Sequence, residues 1–285
     1  MSQETNLNVA PYFDDFNEPE VGGKAQDYYK VLFKPGLPVQ ARELTTLQSM
    51  LQDQVEHLGN HFFKEGAKVI PGNLTYNKNF YAVEVESDFL GIPVSSYSDN
   101  LVGVKITGES SGVVAIIRKV ITATESDRGH ITLYVDYYES GTNNSVRDFN
   151  DGENLVTEAN IPFGNSFINV GEGFARTIAK NACSIGSAFS LGEGVYFLRG
   201  YLVTVDSETL LLDQYSNTPS YRVGLDVIEE VINADRDEYL NDNANGFNNY
   251  AAPGADRLKI TARLSKKPLD VFDVPNFVEL ANVKD

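Results

Sequence analysis

Several things that would mark a function are scarce in this chain. It has one cysteine, Cys183, so no disulfide can form within it, which predicts folding in a reducing cytoplasm. Tryptophan is absent. No stretch approaches the roughly 18 apolar residues that a membrane-spanning helix requires. The start, Met1-Ser-Gln-Glu-Thr-Asn, has neither the basic nor the apolar region of a secretory signal. Basic residues are few: 23 Lys and Arg face 40 Asp and Glu, a net charge of −17 and an isoelectric point near 4.6. The excess is −8 over residues 1–150 and −9 over 151–285, so there is no basic half or tail. A phosphate backbone needs clustered Lys and Arg, and so does an anionic lipid surface, so neither nucleic acid nor membrane is expected as a partner.

What the chain does contain is a core-forming 42% of hydrophobic residues, 15 Tyr, 16 Phe, 23 Gly and 11 Pro in 285 residues. That composition leans towards strands and turns, and the pattern along the chain predicts a mainly β, α+β fold: antiparallel sheets, one long amphipathic helix, an inserted small β-barrel and an extended N-terminal arm. The arm is residues 1–38, where Pro11, Pro19, Gly22, Gly23, Pro35, Gly36 and Pro38 leave no room for a helix. It carries Tyr12, Phe13, Phe16, Tyr28, Tyr29, Leu32 and Phe33, too many rings to stay in water, so it is expected to dock on its own domain or on a neighbouring chain.

Residues 39–95 are expected to hold the helix and the first strands of the main domain. Within 39–61, Leu44, Leu47, Leu51, Val55 and Leu58 recur at spacings of 3, 4, 4 and 3, an apolar seam at a heptad-like period. The ordinary fate of such a seam is packing onto the chain's own sheet; the sharper one is sharing around a symmetry axis in an oligomer. Residues 96–160 are expected to form the barrel, with strands at 101–107, 112–121 and 130–138. Residues 161–285 complete the main domain. There, Gly194–Val205 is expected to pair with Thr209–Asp213 about a turn at Asp206-Ser-Glu, a strand is expected from Tyr221 and a last one from Arg257, and Asn241–Asp256 reads as a loop. The end, Val274–Asp285, has no terminating character and reads as if more chain should follow.

Motifs with chemistry are weak. His57 and His61 share a helix face at i, i+4, but Leu58 stands where the zinc-protease pattern needs Glu. Asn241, Asn243, Asn245 and Gly246 mimic the front of a calcium loop, yet Ala252 occupies the position of the bidentate Glu. There is no phosphate loop and no nucleophile elbow, and Cys183 has only Lys180 as a basic neighbour. No catalytic residue, metal or cofactor is expected. A sugar-stacking platform of Tyr134, Tyr137 and Tyr138, or a polysaccharide hydrolase working through paired carboxylates, are the competing readings.

Three segments carry a resemblance. They are Tyr28-Tyr-Lys-Val-Leu-Phe-Lys-Pro-Gly-Leu-Pro-Val-Gln-Ala-Arg-Glu-Leu-Thr-Thr-Leu-Gln, running on to Gly59-Asn-His-Phe-Phe-Lys-Glu-Gly-Ala-Lys-Val-Ile-Pro-Gly; Gly194-Val-Tyr-Phe-Leu-Arg-Gly-Tyr with Tyr221-Arg-Val-Gly-Leu; and Asp242-Asn-Ala-Asn-Gly-Phe-Asn-Asn-Tyr-Ala-Ala-Pro-Gly-Ala-Asp-Arg-Leu-Lys-Ile. In order and spacing they resemble an uncharacterised domain found near the N-terminus of tail-fibre and other virion structural proteins of T4-like phages, cyanophages in particular. The resemblance spans about residues 10–285. It implies a tail or baseplate component, assembled in the host cytoplasm, that docks a fibre or fibre-like protein. Its implied partners are other virion proteins and further copies of itself, with a trimer preferred, and it brings no catalytic residues. Members are usually longer, so the chain is either a short member or the first part of a longer one. The expected interface comprises Tyr12, Phe13, Phe16, Tyr28, Tyr29 and Phe33 of the arm, the seam Leu44, Leu47, Leu51, Val55 and Leu58, and two arginines, Arg42 and Arg257, each able to clamp a carboxylate.

Overall fold

The computed structural model describes residues 3–14, 16, 28–244, 246–272 and 274–284. One long helix, Ala41–Phe62, precedes a series of strands joined into antiparallel ladders, and the chain divides into two compact units.

The first unit comprises Met1–Asn73, Leu191–Glu208 and Arg222–Asn282. Its helix starts where Pro38 ends an extended run and the Glu43 carboxylate accepts a hydrogen bond from the Gln40 N–H at 2.8 Å, satisfying one donor of the first turn. It stops at Phe63, whose N–H donates to Gly59 O. Two three-stranded sheets accompany it. One has Gly194–Leu198 between Lys68–Ile70 and Tyr201–Val205; the other has Ser220–Ile232 between Arg257–Pro268 and Phe277–Lys284. Buried Tyr196, Phe197, Leu198, Val203, Val223, Leu225, Val227, Leu264 and Val278 supply its apolar interior.

The second unit comprises Leu74–Ser190, Thr209–Tyr221 and Val283–Asp285. It is built on one eight-stranded sheet in the order Gly173–Arg176, Asn154–Thr157, Lys105–Gly108, Val114–Ile121, Ile131–Glu139, Leu74–Val85, Cys183–Leu191 and Glu208–Asp213. Period-2 alternation gives each face its own core. Val83, Val85, Leu133 and Val135 point to one side, and Phe80, Ala82 and Tyr134 to the other, where the Phe80 and Tyr134 rings stack 5.0 Å apart.

The mainly β architecture with one helix agrees with the sequence. The small barrel expected over 96–160 is not seen: among the described residues no sheet closes on itself, and strands from that stretch extend a ladder that continues into Leu74–Val85 and Cys183–Leu191. The expected strand Gly194–Val205 is also not continuous. Arg199 and Gly200 both have positive φ, 51° and 81°, the pattern of a type I′ turn. The chain therefore folds back at once, pairing Leu198 with Tyr201. Thr209–Asp213 belongs to the eight-stranded sheet instead.

The helix lies against the first unit by an unexpected face. Its buried residues are Thr46, Met50 and Gly59, and the contact at Gly59 is so close that a Cβ there would overlap the ring of Phe197, which is itself fully buried. Alanine normally improves a helix interior by up to about 1 kcal/mol over glycine. Here overpacking opposes it at about 1–3 kcal/mol, so Gly59→Ala is expected to lower the thermal midpoint in calorimetry; an unchanged or raised midpoint would show that the helix does not rest on Phe197.

Candidate docking surface

The helix presents its apolar seam outward. Leu44 is 49% exposed, Leu51 61%, Val55 49%, Leu58 61% and Phe62 69%, with Leu47 half-buried. The expectation that this seam packs on the chain's own sheet is thereby corrected. The opposite face is the one that is used, because its small and polar residues have partners that leucines cannot replace. The buried Asp14 carboxylate accepts hydrogen bonds from Thr46 Oγ1 at 3.1 Å and from Ser49 Oγ. Gln52 donates to Gly200 O at 2.7 Å, and Gly59 admits the Phe197 ring.

The N-terminal segment is divided in its behaviour. Residues 3–14 are tied to their own unit rather than extended towards a partner. Gln3 accepts from Tyr201 Oη at 2.8 Å, and Tyr12 Oη donates to Asp256 Oδ2 at 2.5 Å. Leu7 O and Val9 O accept backbone bonds that close a turn before Asp14. Tyr12 and Phe16 are half-buried, while Phe13 is 54% exposed. Pro19, Gly22 and Gly23 of the expected arm lie outside the described residues. Past them, Tyr28, Tyr29, Leu32, Phe33, Leu37 and Val39 are all exposed, Tyr29 and Leu32 at 74%. The interface expected of the whole arm is thus available at Tyr28, Tyr29 and Phe33, whereas Tyr12 is engaged with Asp256.

Between the folded N-terminal segment and the helix's polar face runs a groove of about 1360 Å³, lined by Tyr12, Asp14, Ser49, Glu56, Tyr201 and Asp256 among others. Burial and the neighbouring Asp53 charge raise the Glu56 pKa above the usual carboxylate value.

A buried ion pair anchors the segment's first residues. Arg199, at the turn between Gly194–Leu198 and Tyr201–Val205, is 1% exposed. Its Nη1 lies 2.5 Å from Glu229 Oε1, its Nη2 donates to Asn276 and lies 3.2 Å from Glu4 Oε1. The Glu229 carboxylate also accepts from the Thr5 N–H and Oγ1 at 2.8 and 2.7 Å and from the Glu4 N–H at 3.1 Å. These bonds explain why a non-glycine residue holds positive φ at position 199, a conformation costing about 1–3 kcal/mol. A Cβ at Gly200 would collide with the Glu56 side chain.

The two arginines expected to reach a partner's carboxylate do not present free forks. Arg257 donates from Nη1 to Ala255 O at 2.7 Å and Asp256 O at 3.1 Å, both in its own turn, and Arg42 donates from Nε to Gln40 Oε1 at 2.8 Å. The histidines do not converge either. His57 Nδ1 lies 3.3 Å from Asp53 Oδ2, and its pKa is raised by the backbone hydrogen bond to Asp53 and by that residue's charge. His61 meets Phe62 edge-on. In the Asn241–Gly246 stretch, Asp242 Oδ1 accepts from the Ala244 N–H and Asn243 O from the Gly246 N–H, bonds of a self-contained turn; Asn245 lies outside the described residues.

In the second unit the sugar-stacking platform fails on burial. Tyr134 is fully buried and Tyr137 packs on Tyr81 and Phe149, leaving Tyr138 exposed beneath Lys105. Burial pushes the Cys183 thiol up to about 11, so it is scarcely thiolate at neutral pH. The buried carboxylates are occupied, Glu84 by Arg128 at 2.7 Å and Glu153 by the N–H groups of Ser110, Ser111 and Asn150.

Residues 11–150 match the model of a domain of unknown function, DUF4815. No curated protein and no solved structure matches the chain.

Two outcomes are expected from the Arg199 site. Arg199→Met strands a buried carboxylate, at a cost of about 3–5 kcal/mol, and is expected to lower the urea midpoint by a corresponding amount; loss of less than about 1 kcal/mol would mean that the pair is not buried in solution. Glu229 is pushed up by burial, but its bonds from Arg199, Thr5 and Glu4 outweigh this and hold its pKa below the ordinary 4.5. A depressed carboxyl pKa contributes stability that is complete above the unfolded value and lost as pH falls through the folded one. Amide exchange at residues 4–5 should therefore accelerate only as pH drops below about 4.5, after correction for intrinsic rates, and not on raising pH towards neutrality.

Proposed function

We propose that this chain is a structural protein of a phage virion, a tail or baseplate component that docks a fibre or fibre-like protein through protein–protein contacts. The observation that carries this reading is the run of exposed apolar residues from Tyr28 through Val39, followed directly by the outward seam of the helix. Soluble monomers rarely keep so much contiguous apolar surface in water, and such surface marks a binding site. The acidic, evenly distributed charge removes nucleic acid and anionic membrane from the candidates. A protein surface remains, and it is the partner that a run of exposed rings and aliphatic side chains would recognise. The phage setting is supported by the resemblance of the three motifs, of which the first includes Tyr28–Val39 and both ends of the helix.

In this reading residues 3–14 are the fixed end of the segment, held by the bonds of Thr5 to Glu229, Tyr12 to Asp256 and Asp14 to Thr46 and Ser49, and residues 28–39 are its working end. Lys30 and Lys34 stand among the exposed rings and serve as reporters. Cross-linking of purified phage particles that carry the chain is expected to join these lysines to a different virion protein. Absence of the chain from purified particles, or links confined to the chain itself, would refute the assignment.

A further inference from the structure

The outward face of the helix has a regularity that general stickiness does not require. Adding Phe62 to the seam gives Leu44, Leu47, Leu51, Val55, Leu58 and Phe62, at spacings of 3, 4, 4, 3 and 4. This is an 11-residue rhythm rather than a heptad: 44 and 55, 47 and 58, and 51 and 62 are equivalent positions. Eleven residues make almost a whole number of turns, so the stripe runs nearly straight along the helix instead of winding around it. At 3.6 residues per turn the six side chains fall within about 80° of the circumference, the width of a helix–helix seam rather than of a face buried in a globular core.

We infer that this stripe is where copies of the chain meet, helix against helix. Three features select a second copy over other occupants. The stripe contains no ionisable side chain, and the positions beside it are Gln48 on one side and Gln54, His61 and Glu43 on the other, the one carboxylate among them accepting from the Gln40 N–H of its own first turn at 2.8 Å. A chain of charge −17 repels its own copy, and a helix free of acids along its seam, with a single flanking carboxylate at one end, is a surface that two copies can bring together with little opposition of like charges. A basic partner, by contrast, would find one carboxylate flanking the stripe, Glu43, and that one already accepts from the Gln40 N–H. Second, the pattern complements itself: large apolar side chains at equivalent positions 11 residues apart let a copy of the same helix interdigitate. Third, the chain's own residues 17–27, outside the described residues, offer only Val21 and Ala25 as aliphatic side chains and could not cover six large ones. The inference rests on the docking reading in one respect, that the exposed apolar surface is covered in the assembled protein, and it names the occupant of one part of it.

The test uses the full chain. Sedimentation velocity at micromolar concentration should show an oligomer for the natural sequence and a monomer for Leu51→Asp combined with Leu58→Asp. Both sites are more than half exposed, so the far-ultraviolet dichroism and melting midpoint should be retained. A monomeric natural chain, or an oligomer that survives both aspartates, overturns the inference. Should the double variant misfold, Leu51→Cys in a Cys183→Ala background replaces it: disulfide-linked dimers on oxidation support the proposal, and none at any of positions 44, 51 and 58 tested singly overturns it. Because these readouts need no other virion protein, a failure here is distinct from failure of the docking reading, which is judged by incorporation into particles.

Discussion

The attachment of the helix by its small and polar face governs the rest of the first unit. Thr46 and Ser49 bind the Asp14 carboxylate, Gln52 reaches Gly200 O, and Gly59 lets the Phe197 ring come against the helix backbone. Each of these contacts depends on a short or hydrogen-bonding side chain, so the leucine stripe cannot exchange places with them. Burying the leucines against the sheet would set Asp14 free in an apolar contact and drive bulk into Phe197. The helix is therefore held with its hydrophobic residues outward, and the apolar surface that calls for a partner follows from packing within the chain.

The same logic links the N-terminal segment to the interior. Arg199 sits in a turn that strains its backbone, and its guanidinium is buried. Such a group is tolerated because Glu229, Asn276 and Glu4 surround it, and Glu229 in turn receives Thr5. Buried ion pairs seldom add net stability over an apolar replacement, but removing one partner is costly. What this pair supplies is position: it fixes residues 4–5, Tyr12 and Asp14 follow with their own bonds, and the chain is then committed before it reaches the exposed rings at Tyr28–Phe33. A loose arm and an anchored one differ in what docking costs, since ordering each residue consumes about 1–2 kcal/mol of conformational entropy.

Much of this was legible in the residue pattern, and the rest was illegible for identifiable reasons. The helix was visible because Leu44, Leu47, Leu51, Val55 and Leu58 recur at helical spacing, and strands such as Ile131–Glu139 because β-branched and aromatic residues cluster there. The direction of the helix was not visible, because periodicity reports that a stripe exists and not what covers it. The available signal was the opposite face, where Thr45, Thr46, Ser49, Gln52 and Gly59 are small or hydrogen-bonding. The break in Gly194–Val205 was hidden because arginine is an unusual first residue for a type I′ turn, although the following Gly200 was a cue. The barrel expected over 96–160 did not appear because hairpin signals specify neighbouring strands but not closure; the long-range pairing of Ile131–Glu139 with Leu74–Val85 carries the ladder onward instead. The burial of Tyr134 is not legible in its strand alone, because both faces of this sheet are covered and no exposed face is left for its ring.

The central claim is that the stripe from Leu44 to Phe62 is covered by the same stripe of another copy. A nitroxide placed at Gln54→Cys, in a Cys183→Ser background, stands at the edge of that seam without occupying it. Double electron–electron resonance on the singly labelled chain should then return a short, well-defined distance between copies, as helices packed about 8–10 Å apart require, and the signal should vanish on dilution with excess unlabelled protein. An absence of dipolar coupling, with the chain folded and concentrated, would contradict the account.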